Sequence, residues 1–113
     1  MKKIIGGLIL SGSIFTSLHA FSTGVYSCYS GGHKSIFTLL PGYEAILQEY
    51  GRKEYDGLWT NYYTKAKVVI EQRKATEYII EPNKEMNSNR FLIYKLRNNS
   101  KYYFCKAKYK PLD

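Results

Sequence analysis

The chain has 113 residues, 12 of them tyrosine, and carries 17 Lys and Arg against 9 Asp and Glu, for a formal charge of +8. That length allows one domain. Two cysteines and two histidines leave little from which to build a zinc or copper site, and the basic balance favours an anionic partner over a cationic one.

Residues 1–20 read as a cleavable secretory signal peptide. Lys2 and Lys3 form a charged start, Ile4 to Phe15 is mostly apolar and uncharged, and Leu18-His19-Ala20 is an imperfect small-residue exit. The apolar run is too short to cross roughly 30 Å of hydrocarbon as a helix, so the mature protein is expected to have no transmembrane segment. Cys28 lies too far downstream to be an acylated lipoprotein cysteine, and Tyr26 stands among the residues before it where small ones are required. The product is therefore expected to be exported, either periplasmic or extracellular.

The remaining 21–113 reads as a single β domain. Short runs rich in Val, Ile, Tyr, Phe and Thr recur at Gly24–Tyr29, Ser35–Leu40, Tyr43–Tyr50, Gly57–Tyr62, Ala66–Glu71, Thr76–Glu81, Phe91–Leu96 and Tyr102–Tyr109. Between them, Gly31-Gly32, Pro41-Gly42, Asp56-Gly57, Pro82-Asn83 and Asn98-Asn99 supply the backbone angles of tight reversals. The pattern is that of an antiparallel eight-strand meander. Trp59, Val68, Ile70, Leu92, Leu96 and Tyr103 are expected to face inward.

Cys28 and Cys105 are the only possible disulfide pair, and an exported domain of this size is where a disulfide is expected. Bridging a separation of 77 residues restricts the unfolded chain by roughly 4 kcal/mol. The bridge also joins the first strand to the last, whose Cα atoms must then lie within about 7 Å. A meander with its end strands adjacent is a closed or nearly closed barrel; a sandwich with the bridge between facing sheets is the other solution.

Gly24-Val25-Tyr26-Ser27-Cys28, Phe37-Thr38-Leu39 before Pro41-Gly42-Tyr43, Tyr55-Asp56-Gly57-Leu58-Trp59-Thr60, Lys67-Val68-Val69-Ile70 and Lys101-Tyr102-Tyr103-Phe104-Cys105-Lys106 together resemble small lipocalin-like bacterial envelope barrels. These include the N-terminal domains of copper-resistance lipoproteins and, more distantly, the inhibitors of c-type lysozyme. The resemblance implies a barrel. It carries no site residues across: Cys28 is followed by Tyr29-Ser30-Gly31, so the Cys-x-x-Cys of the copper-resistance type is absent, and Trp59 is followed by Thr60-Asn61-Tyr62, not by the inhibitors' Lys-Gly pattern.

Catalytic groups are sparse. His33 is the one histidine beyond the signal and stands in a Gly-rich turn beside Lys34; a general base or metal ligand needs convergent partners. Glu49 with Glu54, or Glu81 with Glu85, would serve a glycosidase only across a substrate cleft, and a ribonuclease would hang on His33 alone. No catalytic residue, metal or cofactor is expected. Asn98-Asn99-Ser100 matches the glycosylation pattern but reads as a turn.

Charge is uneven. From Met86 onward there are seven bases and one acid, at the terminus, while Glu44 to Glu85 holds eight acids and seven bases. Alternation in the last two strands directs Lys95, Arg97, Lys106 and Lys108 outward, beside outward Phe91, Ile93 and Phe104. An apolar patch rimmed by cations is expected to contact an anionic envelope component or an acidic protein. Nucleic acid is the least favoured partner, since tyrosines are ordinary strand residues and export argues against genome binding. The alternative function is a proteinaceous inhibitor of a lysozyme-type hydrolase, approached through Glu44, Glu49, Glu54 and Asp56.

Overall fold

The computed structural model describes residues 21–49, 53–71, 75–85 and 89–112; the signal-peptide reading of 1–20 lies outside them. Eight strands follow in chain order: β1 (Gly24–Ser30), β2 (His33–Leu39), β3 (Glu44–Glu49), β4 (Lys53–Tyr62), β5 (Lys65–Ile70), β6 (Thr76–Pro82), β7 (Arg90–Arg97) and β8 (Ser100–Lys110). Each pairs antiparallel with the next, and β1 closes on β8 from Val25↔Lys110 to Cys28↔Ala107. The fold is a closed meander barrel, not a sandwich. Closure pairs each described strand on both sides, so none of them forms an open sheet edge.

Local chemistry sets the reversals. Gly31 and Gly32, at φ 59° and 82°, link Ser30 to its partner His33; Asn98 and Asn99, at φ 51° and 64°, link Arg97 to Ser100. Both are two-residue turns with positive φ at each position, the geometry whose twist matches the flanking strands. Asp56-Gly57, expected to be a turn, instead lies inside β4. A side chain at Gly57 would place Cβ 2.2 Å from the Val69 carbonyl oxygen, so this glycine permits close strand approach instead of a reversal.

The interior is packed with side chains. Tyr26, Phe37, Leu39, Leu47, Val68, Ile70, Ile80 and Ile93 are fully buried, with Trp59, Tyr78 and the Cys28–Cys105 bridge nearly so. The two cysteine Cα atoms are 5.8 Å apart. Buried polar tips find partners: the Trp59 indole N–H donates to the Leu40 carbonyl at 2.9 Å, and the Tyr26 hydroxyl donates to the Ser22 carbonyl at 2.7 Å.

The expected inward set holds for Trp59, Val68 and Ile70 and fails for Leu92, Leu96 and Tyr103. A bulge in the last hairpin is the reason. Near the turn Tyr94 pairs with Tyr103, but the next residue, Ile93, pairs with Cys105, so Phe104 is an extra residue on β8. Without the bulge Leu92 would stand opposite Cys105 and face the core with it; with it, Ile93 does. One inserted residue exchanges the two faces of β7 relative to the disulfide.

Candidate functional site

The bulge redistributes the residues of the expected contact face. Phe91 and Phe104 do not form an exposed patch: Phe91 packs on Tyr26 and Tyr109, and Phe104 on Phe37 and Tyr78, with centroid separations between 5.0 and 6.1 Å. Ile93 is wholly buried. Lys95 pairs with buried Tyr78 and so has inner parity near the barrel end, as does Arg97 two residues on; neither shares a face with Lys106 and Lys108.

What the hairpin presents outward instead is Arg90, Leu92, Tyr94 and Leu96 from β7, paired respectively with Lys108, Lys106, Tyr103 and Lys101 from β8. Tyr103 is 55 % exposed, and its ring stands 6.2 Å from that of Tyr94. Partial desolvation, then the neighbouring Tyr94 phenol, pushes the Tyr103 phenol above its ordinary range. The Lys101 ammonium lies 4.7 Å from the Tyr94 ring centroid and 3.4 Å from the Glu81 carboxylate. Lys65 reaches the same Glu81 at 3.6 Å, and Lys67 reaches Glu77 at 3.3 Å. Two carboxylates thus offset part of the charge of these three lysines.

Barrel closure extends the cationic surface past the hairpin. Through Ser27, the Lys108 row continues onto β1 and then to Ile36 on β2. Lys34 has the same outward parity as Ile36, and its strand partner Tyr29 is 70 % exposed. Along β8, Lys106, Lys108 and Lys110 recur every second residue, roughly 7 Å apart. The four contiguous strands β7, β8, β1 and β2 contain eight Lys or Arg and no Asp or Glu. Strands β3 to β6 contain six acids and three bases. Among the described residues, no carboxylate lies within ion-pairing distance of Lys34, Arg90, Lys95, Arg97, Lys106, Lys108 or Lys110.

The barrel is thus electrically two-sided. On the acidic side, Glu44, Asp56 and Glu71 border a groove with Leu40, Ile46 and Leu58, and Leu58 is 57 % exposed. Among the described residues no group of three or more His, Cys, Asp or Glu side chains is placed to hold a metal ion.

Sequence reasoning found Lys106 and Lys108 and missed Leu92, Tyr94, Leu96 and Tyr103 as outward residues. It also missed that Lys34 joins the same surface. The acid-free stretch before Glu44 was a visible signal for that, but it acquires meaning only when β1 is set beside β8. No family model, curated protein or solved structure matches this chain.

Proposed function

We propose that this protein is an exported, non-enzymatic β-barrel binding module whose β7–β8–β1–β2 wall docks on an anionic envelope surface bearing phosphate or carboxylate headgroups. One observation carries the reading: the two acid-free N-terminal strands adjoin the two cationic C-terminal strands, so that Lys34, Arg90, Lys101, Lys106, Lys108 and Lys110 share an outer face to which these four strands contribute no acid. Such a wall attracts anionic surfaces over about a Debye length, and each Lys or Arg held near an anionic leaflet contributes roughly 1 kcal/mol. Tyr94, Tyr103, Leu92 and Leu96 add amphipathic and apolar contact beside those charges, as interfacial residues do. The lipocalin-like resemblance and the disulfide are compatible with an envelope location.

Co-sedimentation of the mature domain with vesicles tests this. Binding to vesicles containing an anionic phospholipid or lipopolysaccharide, none to zwitterionic ones, and loss as salt rises are expected. Equal indifference to both vesicle types would end the proposal, and binding only to an acidic protein would redirect it.

A second reading is favoured by the opposite wall. The groove of Glu44, Asp56 and Glu71 around exposed Leu58 offers acids to a basic hydrolase, as inhibition of a c-type lysozyme would require. The protein's overall positive charge opposes long-range approach, so this stands second. Absence of lysozyme inhibition at high micromolar concentration discards it.

A further inference from the structure

The barrel end at which β1 begins and β8 finishes is covered by Phe21, Ser22 and Thr23, and every one of these residues is held. The Phe21 ring packs against Tyr26 at 5.6 Å and Phe91 at 5.7 Å, completing an aromatic cluster with Tyr109. The Tyr26 hydroxyl donates to the Ser22 carbonyl and the Tyr109 hydroxyl donates to the Thr23 carbonyl, at 2.7 and 2.8 Å. The Phe21 backbone nitrogen, a peptide amide in the full-length chain, donates to Oδ1 of Asn61 at 2.5 Å, a contact 40 residues distant in sequence. Side chains from β1, β4 and β8 therefore grip main-chain atoms of three successive residues. Ordering three residues of an arm costs backbone entropy, which these bonds and ring contacts offset.

We propose that this barrel end is a binding site for the chain's own newly cut amino terminus, and that Phe21 is the first residue of the mature protein. The cut is hydrolysis of the Ala20–Phe21 peptide bond by a signal peptidase. Water adds its oxygen to the Ala20 acyl carbon, the C–N bond breaks, and the departing Phe21 nitrogen takes up protons to become an ammonium. Asn61 Oδ1 then accepts a charge-assisted hydrogen bond, which is shorter and stronger than a neutral one. The Phe21 ring seats among Tyr26, Phe91 and Tyr109. A cut one residue later would remove that ring, and a cut several residues earlier would replace the ammonium by an amide. The site thus ties correct processing to a sealed barrel. This rests on the export reading but not on the anionic partner, and its test involves no vesicle.

The full chain is expressed in an exporting bacterial host and recovered from the periplasm for intact mass and N-terminal sequencing. A start at Phe21 is expected; a start at any other residue overturns the proposal. Thermal melting then compares the mature domain with Phe21→Ala, Phe21→Leu, Asn61→Ala and a domain carrying Gly-Ser before Phe21. Phe21→Ala should lower Tm by on the order of 10 °C, with Phe21→Leu recovering part of that loss. The Gly-Ser extension leaves every side chain in place and should lower Tm by a few degrees. Asn61→Ala should then cost markedly less in the extended protein than in the mature one. Additive losses, or an extension that changes nothing, would show that Asn61 does not recognise the free ammonium.

Discussion

Replacing both Cys28 and Cys105 by Ala should destabilise the domain by between about 4 and 5 kcal/mol. The magnitude follows from the loop the bridge closes. A separation of 77 residues removes about 15 cal/mol/K from the unfolded chain in the chain-entropy treatment, or about 4.5 kcal/mol at 25 °C. Both side chains are nearly inaccessible, so Ala also leaves a small void, whereas Ser would add two buried hydroxyls and a larger penalty. Opposing this, β1 and β8 stay hydrogen-bonded through four residue pairs, which is why the barrel should loosen instead of changing topology. Against a total stability that for such domains is about 5–15 kcal/mol, the loss leaves a marginal fold. Urea unfolding monitored at Trp59, which is buried beside Tyr43, measures it. The midpoint of the Ala pair should fall steeply, and reduction of the wild type should reproduce most of the fall. A change below about 1 kcal/mol would refute the reasoning, because the loop-closure account of the bridge would then carry no weight.

Further outcomes follow from other contacts. Gly57→Ala should cost at least about 2 kcal/mol, because the added carbon meets the Val69 carbonyl and the Ile70 backbone; an unchanged denaturation midpoint would show that β4 and β5 separate freely. Burial, then the nearby Tyr109 phenol, pushes the Tyr26 phenol far above its usual 10.0, so the folded state keeps a proton that the unfolded state loses above about pH 10. Its stabilising contribution is complete below that pH and declines above it by at most about 1.4 kcal/mol per unit. In Tyr26→Phe the decline between pH 10 and 11 should be shallower than in the wild type, as pH-dependent urea unfolding would show; equal slopes would contradict the assignment.

The strand count, most turns and the barrel closure were legible because each rests on local or covalent chemistry. Gly31-Gly32 and Asn98-Asn99 can adopt positive φ cheaply, and a single cysteine pair spanning the end strands forces them together. The face of β7 was not legible. Phe91-Leu92-Ile93-Tyr94 is apolar at both parities, so alternation cannot choose between them; the choice is made by the extra residue at Phe104, which no pattern in the chain announces. The same ambiguity misassigned Lys95 and Arg97 while leaving Lys106 and Lys108 right, since those two lie beyond the bulge on the side of Cys105. Gly57 misled for a related reason: glycine marks both reversals and close backbone approach, and only the Val69 carbonyl distinguishes them.

The most direct test of the cationic wall compares two charge-removing variants in the vesicle assay at low salt. One replaces Lys34, Lys106, Lys108 and Lys110 by Gln, all exposed on the wall; the other replaces Lys95 and Arg97, which share the inner parity set by Tyr78. At roughly 1 kcal/mol per cation, the first should weaken binding to anionic vesicles about 1000-fold, since about 4.1 kcal/mol corresponds to that factor, with the melting temperature nearly unchanged. The second should weaken it less than about tenfold. A first variant that binds like the wild type, or a second that loses as much as the first, would contradict the account.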